Sequence, residues 1–177
     1  PKPANLSFDQ AAAIPISAGT ALQAVRKAQV HAGQHVLIVG ASGGVGSFAV
    51  QIAKAFGAEV TGVCSTAKVD FVRSLGADHV IDYSRTDFTD QEQRFDVIVD
   101  TGGNRRLSHL RRALVIVGGE TGGRWLGGFD RSLRAVLLSP LVGQKLSMLA
   151  STENADDLNA PRDLVESGKI TPAVDHT

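Results

Sequence analysis

The sequence predicts an α/β fold: a doubly wound parallel sheet of six strands, with helices on both faces. Three observations carry this. Short apolar runs recur at 35–40, 59–64, 79–82, 95–100, 114–118 and 145–149. Stretches with helical periodicity separate them, and such alternation builds right-handed βαβ crossovers into a parallel sheet. The first run, HVLIVG, meets the glycine cluster ASGGVG, and a helical pattern follows at once.

In chain order, residues 17–29, SAGTALQAVRKAQ, read as a helix with Ser17 at its N-cap. It belongs to a segment, 1–34, that precedes the βαβ series and is expected to pack against it. Runs 35–40 (HVLIVG), 59–64 (EVTGVC) and 95–100 (FDVIVD) are rich in Val and Ile. They are nearly continuous in hydrophobicity, as strands buried on both faces should be. Residues 45–56 place Val45, Phe48, Ala49, Ile52, Ala53 and Phe56 on one helical face. Residues 67–75 do the same with Val69, Val72 and Leu75. Further helices are expected at 104–112, 130–138 and 155–167, the last stopping before Gly168. The glycine-rich stretch 117–128, VGGETGGRWLGG, reads as a mobile loop next to the site. All 177 residues are expected to form one domain.

Composition narrows the function classes. With 43% hydrophobic and 20% charged residues the chain is ordinary for a globular protein. Its formal net charge is zero, so no global field favours nucleic acid or an anionic membrane. No apolar run approaches the ~20 residues that span a bilayer, and the opening PKPANLSFDQ lacks a charged segment followed by an apolar one. Cys64 is the single cysteine, and the histidines at 31, 35, 79, 109 and 176 are scattered. No internal disulfide can form, no zinc-ligand spacing is present and no metal is expected. The setting expected is reducing and cytoplasmic. The first residue is Pro, and the closing ITPAVDHT reads as an element cut off mid-course, so a fragment of a longer protein is expected.

The glycine cluster carries the first chemical signal. Strand, glycine turn and helix in that order present backbone N–H groups to a dinucleotide pyrophosphate, the Rossmann-type arrangement. With Gly46 as third position of the G-x-G-x-x-G fingerprint, Gly43 is second and Ala41 departs from the first. Glycine turns between strand and helix also serve purely steric ends, so the motif alone leaves both readings open. The end of the next strand bears on cofactor choice. An NAD-preferring site places Asp or Glu about 20 residues on, against the ribose 2′-OH. Here the order is Val63-Cys64-Ser65-Thr66-Ala67-Lys68, without a carboxylate. Hydroxyls and a lysine suit a 2′-phosphate instead, so the reading is NADP(H) over NAD. Ser65 and Thr66 equally suit helix capping. Tyr83 follows the run 79–82 and either joins the same phosphate pocket or lies in a surface turn. Glu59 opens its strand at the wrong end to reach the ribose.

Other residues offer less. Cys64 has no obvious base and reads as a small buried hydrophobe. Arg105, Arg106, Arg111 and Arg112 read as a solvated helix face. Ser108 and His109 are mere sequence neighbours, and Asp96 and Asp100 share a strand face without making an acid–base pair. No triad is visible, and the catalytic residues stay unknown. A nicotinamide enzyme needs no protein nucleophile, because the cofactor carries the hydride.

The segments AAAIPISAGTALQAV (11–25), VLIVGASGGVGSFAVQIAKAFGAEVTGV (36–63), LGADHVIDY (75–83) and FDVIVDTGGN (95–104) resemble the cofactor-binding part of medium-chain dehydrogenases/reductases. The branch is that of the zinc-independent, zeta-crystallin-like quinone oxidoreductases. The resemblance implies roles position by position. Thr20 would lie near the nicotinamide and phosphate end, and Ser42, Gly43, Gly44, Val45 and Gly46 would form the pyrophosphate turn that Ala41 opens in the fingerprint reading. Ser65, Lys68 and Tyr83 would line the 2′-phosphate pocket, beside the Thr66 hydroxyl already singled out, and Val117 and Gly118 would hold the nicotinamide carboxamide. The family lysine often falls one residue later, where Val69 stands. LRRAL runs directly into VIVGG, where the family has a turn of about five residues. The amino-terminal catalytic domain of the family is not in this stretch. The function implied is hydride transfer from NADPH to a quinone or enone, by a homodimer joined through edge strand 145–149. A non-enzymatic NADPH-binding module, with partner contacts around Trp125, and an enoyl-thioester reductase domain of a polyketide synthase are the alternatives.

Overall fold

The computed structural model describes residues 2–86, 95–102, 113–117, 146–149 and 155–174. The chain opens with a short helix that periodicity does not reveal, α1 (Phe8–Ala12). Its start is fixed by a capping box: the Gln10 amide donates to Ser7 Oγ, and the Ser7 amide donates to Gln10 Oε1. A π-helical turn, Ile14–Ala18, runs straight into α2 (Gly19–Lys27). The expectation that Ser17 caps this helix is therefore corrected. Ser17 lies within a continuous helical path and makes no cap bond, because the turn before it already supplies the carbonyls that α2 needs.

The strands are β1 (His35–Val39), β2 (Glu59–Cys64), β3 (His79–Asp82), β4 (Val97–Asp100), β5 (Ala113–Val117) and β6 (Leu146–Leu149). All pair in parallel, in the order β3-β2-β1-β4-β5-β6. The α/β class and the parallel sheet agree with the sequence reading. β1 lies between β2 and β4, in register Val36↔Val60 and Val36↔Val97. The order therefore reverses beside β1, and in open α/β sheets a crevice opens at the carboxyl ends of strands at such a switch point. Among the described residues β3 and β6 are the two edges.

Helix α3 (Gly44–Ala55) follows β1, and α4 (Val69–Ser74) follows β2 after a 3₁₀ turn, Thr66–Lys68. Every residue of α3 from Gly46 to Ala53 is buried, more than the single face its pattern suggests. The reason is that α3 is covered from several sides, by β1, β2, α2 and the π-helical turn. A helix so enclosed is apolar on most sides, and its buried polar members, Ser47 and Gln51, are hydrogen-bonded. Val36, Ile38, Val60, Val97 and Val99 join Leu22, Val25, Phe48 and Ile52 in one core. The alternate residues Leu37, Val63 and Ile98 are buried too, as period-two strands covered on both faces require. The expected helices 104–112 and 130–138 and loop residues 118–128 lie outside the described residues.

The last helix, α5 (Ala155–Glu166), packs on α2. The chain after it is tied to α3 by Gln51. Its Nε2 donates to Thr171 O at 3.1 Å, and its Oε1 accepts from the Thr171 amide at 2.7 Å. At the opposite end from the crevice, Glu59 lies between His35 (3.1 Å) and His79 (3.0 Å). Beside them Lys54 Nζ reaches both oxygens of Asp78 at 2.8 Å, and the Val60 amide donates to the same carboxylate at 2.7 Å.

Burial pushes the Asp78 carboxyl up, but the hydrogen bonds from Lys54 and Val60 outweigh it and hold the group below its ordinary range. The sign follows. A lowered folded-state value stabilises the fold above the unfolded carboxylate range of about 4, and that stability is lost as pH falls through the folded value. In urea unfolding, Asp78→Asn should lower the midpoint at neutral pH. The gap to the unsubstituted chain should close as pH falls through the folded-state value. A gap unchanged through that fall would assign the stabilisation to uncharged contacts.

Candidate functional site

At the carboxyl end of β1 the chain turns sharply. Gly40 adopts φ +80°, a conformation side chains resist. A Cβ here would meet Thr101 Oγ1 at 2.7 Å and the Gly102 amide nitrogen at 3.1 Å. The first position of the fingerprint is thereby corrected. The tight turn belongs to Gly40, not Ala41. Ala41 is fully buried, and its amide donates to Val63 O at 3.0 Å, as that of Gly40 does at 3.2 Å. The glycines at 40, 43 and 46 are evenly spaced, a signal that a search for G-x-G-x-x-G passes over.

Gly43 is the extended N-cap of α3, and its amide donates back to Gly40 O at 3.0 Å. The first helical hydrogen bond runs from the Ser47 amide to Gly43 O at 2.8 Å. The amides of Gly44, Val45 and Gly46 precede it, so they project from the helix end without an intrahelical acceptor. Gly46 is buried, and a Cβ on it would lie 2.0 Å from Gly40 O. Only glycine lets the helix start this close to the strand. Gly43 and Gly44 are exposed, while Ser42 and Val45 are half-buried. Ser17 Oγ lies 3.1 Å from where a Cβ on Gly44 would sit, so the π-helical turn borders the helix end. Thr20, half-buried in the first turn of α2, follows three residues on. Thr101 locks the arrangement, with Oγ1 donating to Val39 O at 2.8 Å.

The ends of β2 and β3 are neighbours, in register Cys64↔Asp82, and the Tyr83 amide donates to Cys64 O at 3.1 Å. This brings Ser65, Thr66 and Tyr83 to one corner. Ser65 stands at the N-cap of the 3₁₀ turn, yet its hydroxyl makes no cap bond. Tyr83 is 49% exposed. Lys68 is half-buried, its Nζ 5.8 Å from the Phe71 ring centroid. The corner is not free of acid, as the end of β2 alone suggests. Asp82 arrives from β3, and its Oδ2 accepts from Thr66 Oγ1 at 2.6 Å while Oδ1 accepts from the Ser84 amide at 2.9 Å. Thr66 therefore spends its proton on Asp82. That bond foremost, with further donors and Arg85 nearby, holds the Asp82 carboxyl below its ordinary range.

Burial, and after it the charge of Asp82, push the Cys64 thiol up, which makes it a poor nucleophile at neutral pH. Asp100 is fully buried and accepts from the Gly102 amide at 3.1 Å, and Asp96 accepts from the His35 amide at 3.0 Å. Both carboxylates brace the backbone. Val117 ends β5. Gly118, Arg105, Arg106, Ser108, His109, Arg111, Arg112 and Trp125 lie outside the described residues. Gly40, Ser17, Thr101, Asp82 and Arg85 are the site's neighbours that sequence reasoning missed.

Comparison with known proteins gives a consistent answer. The family described as "Zinc-binding dehydrogenase" matches residues 44–154. The 2-methylene-furan-3-one reductase of Solanum lycopersicum is 36% identical over 176 residues, covering 98% of this chain and 41% of that protein. The NADPH-dependent alkenal/one oxidoreductase, chloroplastic, of Arabidopsis thaliana is 34% identical over the same shares. Among solved structures, the quinone oxidoreductase from Coxiella burnetii superposes with a TM-score of 0.83 at 28% identity, covering 98% of this chain and 54% of that one. The chain thus spans under half the length of these curated relatives. Despite the family's description, the described residues offer no group of three or more His, Cys, Asp or Glu side chains fit to hold zinc.

Gly46→Ala should lower unfolding stability by about 2 kcal/mol or more, since its Cβ meets backbone that cannot move aside. Gly43→Ala, whose Cβ would lie 3.4 Å from Gly40 O, should cost no more than about 1 kcal/mol. Urea midpoints of the two variants check the contrast, and equal losses would contradict it.

Proposed function

Because the chain belongs to the medium-chain dehydrogenase/reductase family, through its match to the zinc-binding dehydrogenases, we propose that it is the NADP(H)-binding part of an oxidoreductase. The enzyme transfers hydride from NADPH to a quinone or an activated C=C bond of an enone. The observation that carries this is the helix end at the switch point. Three amides, of Gly44, Val45 and Gly46, converge there with no side chain on the two glycines to keep a pyrophosphate away.

In this reading Ser42 and Gly43 form the floor of the pyrophosphate site above the buried Ala41, and the α3 amides bind the anion. Ser65, Thr66, Lys68 and Tyr83 surround the adenosine ribose and its 2′-phosphate. Thr20, Val117 and Gly118 hold the nicotinamide end. When bound, NADPH supplies the hydride from its nicotinamide ring. This chain's own residues bind and orient; Gly40 and Thr101 fix the turn against which the cofactor rests. The name of the Arabidopsis relative supports NADPH and the alkenal/one class of substrate, and that of the tomato relative, a 2-methylene-furan-3-one reductase, supports a reductase. In this reading the substrate carbonyl is polarised by hydroxyls, backbone amides or water, mostly outside this chain, without zinc.

The reading extends to architecture and setting. The six strands form the whole sheet of one doubly wound cofactor domain, with helices on both faces and the 1–34 segment packed against it. The outer side of edge strand β6 pairs with a second copy in a homodimer. The compartment is reducing and cytoplasmic, in keeping with the single buried Cys64. Among the described residues no helix is long and apolar enough to cross a membrane.

Fluorescence titration tests the cofactor. NADPH should bind about tenfold or more tightly than NADH, the worth of one or two charge-assisted hydrogen bonds. Equal affinity would defeat the NADP assignment. In the whole protein, an enone or quinone should accelerate NADPH consumption. Its failure to do so while NADPH binds would leave a binding module without this activity.

A further inference from the structure

We propose that Arg85 supplies the cationic contact to the adenosine 2′-phosphate, with Asp82 as the residue that positions it. The inference rests on the NADP(H) reading above and goes beyond it by moving the specificity determinant from Lys68 to the turn after β3.

Three observations converge on Arg85. First, its place is fixed from two sides. Its amide donates to Asp82 O at 3.1 Å, and its Nε lies 3.5 Å from Asp82 Oδ2. Asp82 is in turn held by Thr66 Oγ1 and the Ser84 amide. The guanidinium is thus anchored at the corner where β2 and β3 end, yet the side chain is 75% exposed, with its other N–H groups available to solvent. Second, Lys68 is engaged elsewhere: it is half-buried over the Phe71 ring, at the start of α4. Third, the corner contains a carboxylate that would repel a phosphate unless neutralised. The reach of that charge is visible in its effect on the Cys64 thiol across the strand pair. Arg85 is the cation already on Asp82. A guanidinium can hold a carboxylate with one edge and a phosphate with another, which an ammonium does less well.

This makes Asp82 and Arg85 one device. Asp82 orients the arginine and gives up its own charge to it. Arg85 converts a corner that would favour a bare ribose into one that favours a phosphorylated ribose.

The test is titration of the whole protein with NADPH and NADH. Arg85→Ala should weaken NADPH about tenfold or more and change NADH by less than about twofold. Arg85→Lys should recover part of the loss. In an Asp82→Asn background the same Arg85→Ala change should cost NADPH less, because the carboxylate it would uncover is gone. A chain that prefers NADPH but keeps its NADPH-to-NADH ratio in Arg85→Ala, and loses it in Lys68→Ala, overturns the Arg85 assignment and leaves the NADP(H) reading standing. Equal cost of Arg85→Ala with and without Asp82 overturns the coupling. A chain that binds both cofactors alike takes down both readings.

Discussion

The approach of Gly46 to the carbonyl oxygen of Gly40 is the contact on which the rest of the site depends. It sets how close α3 starts to the end of β1, and so where the amides of Gly44, Val45 and Gly46 project. A methyl group at 46 would need space already occupied by backbone at 2.0 Å. Everything around this contact keeps it in place. Gly40 turns through a left-handed conformation, Thr101 ties the end of β4 to the carbonyls of Val39 and Gly40, and α2 with the π-helical turn presses on α3 from outside. The helix end is therefore preorganised by packing rather than by the anion it is suited to receive.

The corner where β2 and β3 end, which we propose for a phosphorylated ribose, faces a different physical problem. Its donors come from two strands and the turns that follow them, and one of the groups brought in is acidic. Asp82 is tolerated because its oxygens are met by Thr66, Ser84 and Arg85. A carboxylate so surrounded contributes orientation more than repulsion. The same hydrogen bonds leave Thr66 without a proton to give, so a hydroxyl that looks like a donor in the sequence acts here as a brace.

What was legible in the sequence follows from how local each feature is. β1, β2 and β3 were readable almost to the residue, β1 and β2 as buried apolar runs that end in a turn and the half-exposed edge strand β3 as a short Val-Ile run between turns. That β2 and β3 end side by side followed from the topology. α1 was not readable from periodicity, since five residues hold too little of it; only Ser7 and Gln10, spaced as a capping box, announced it. The shift from Ala41 to Gly40 was hidden by matching a letter pattern where the physical criterion is a left-handed turn just past a strand. The acid of the corner comes from β3, so the end of β2 alone does not show it, and that Asp82 meets Thr66 and Arg85 is side-chain geometry that strand order leaves open.

The bond between Gln51 and Thr171 has a consequence for how the two positions can vary. The primary amide of Gln51 reads the main chain at 171, taking its N–H and giving to its C=O, much as a neighbouring strand would. Nothing in that exchange uses the threonine side chain. Position 171 is thus free to drift through every residue type except proline, which has no N–H to give. Position 51 has almost no freedom: glutamate lacks the donor, leucine lacks both groups, and asparagine falls a methylene short. Two residues joined by one pair of bonds thereby carry opposite mutational tolerance. The helix that starts at the glycine turn keeps its hold on the returning chain through the side that cannot change.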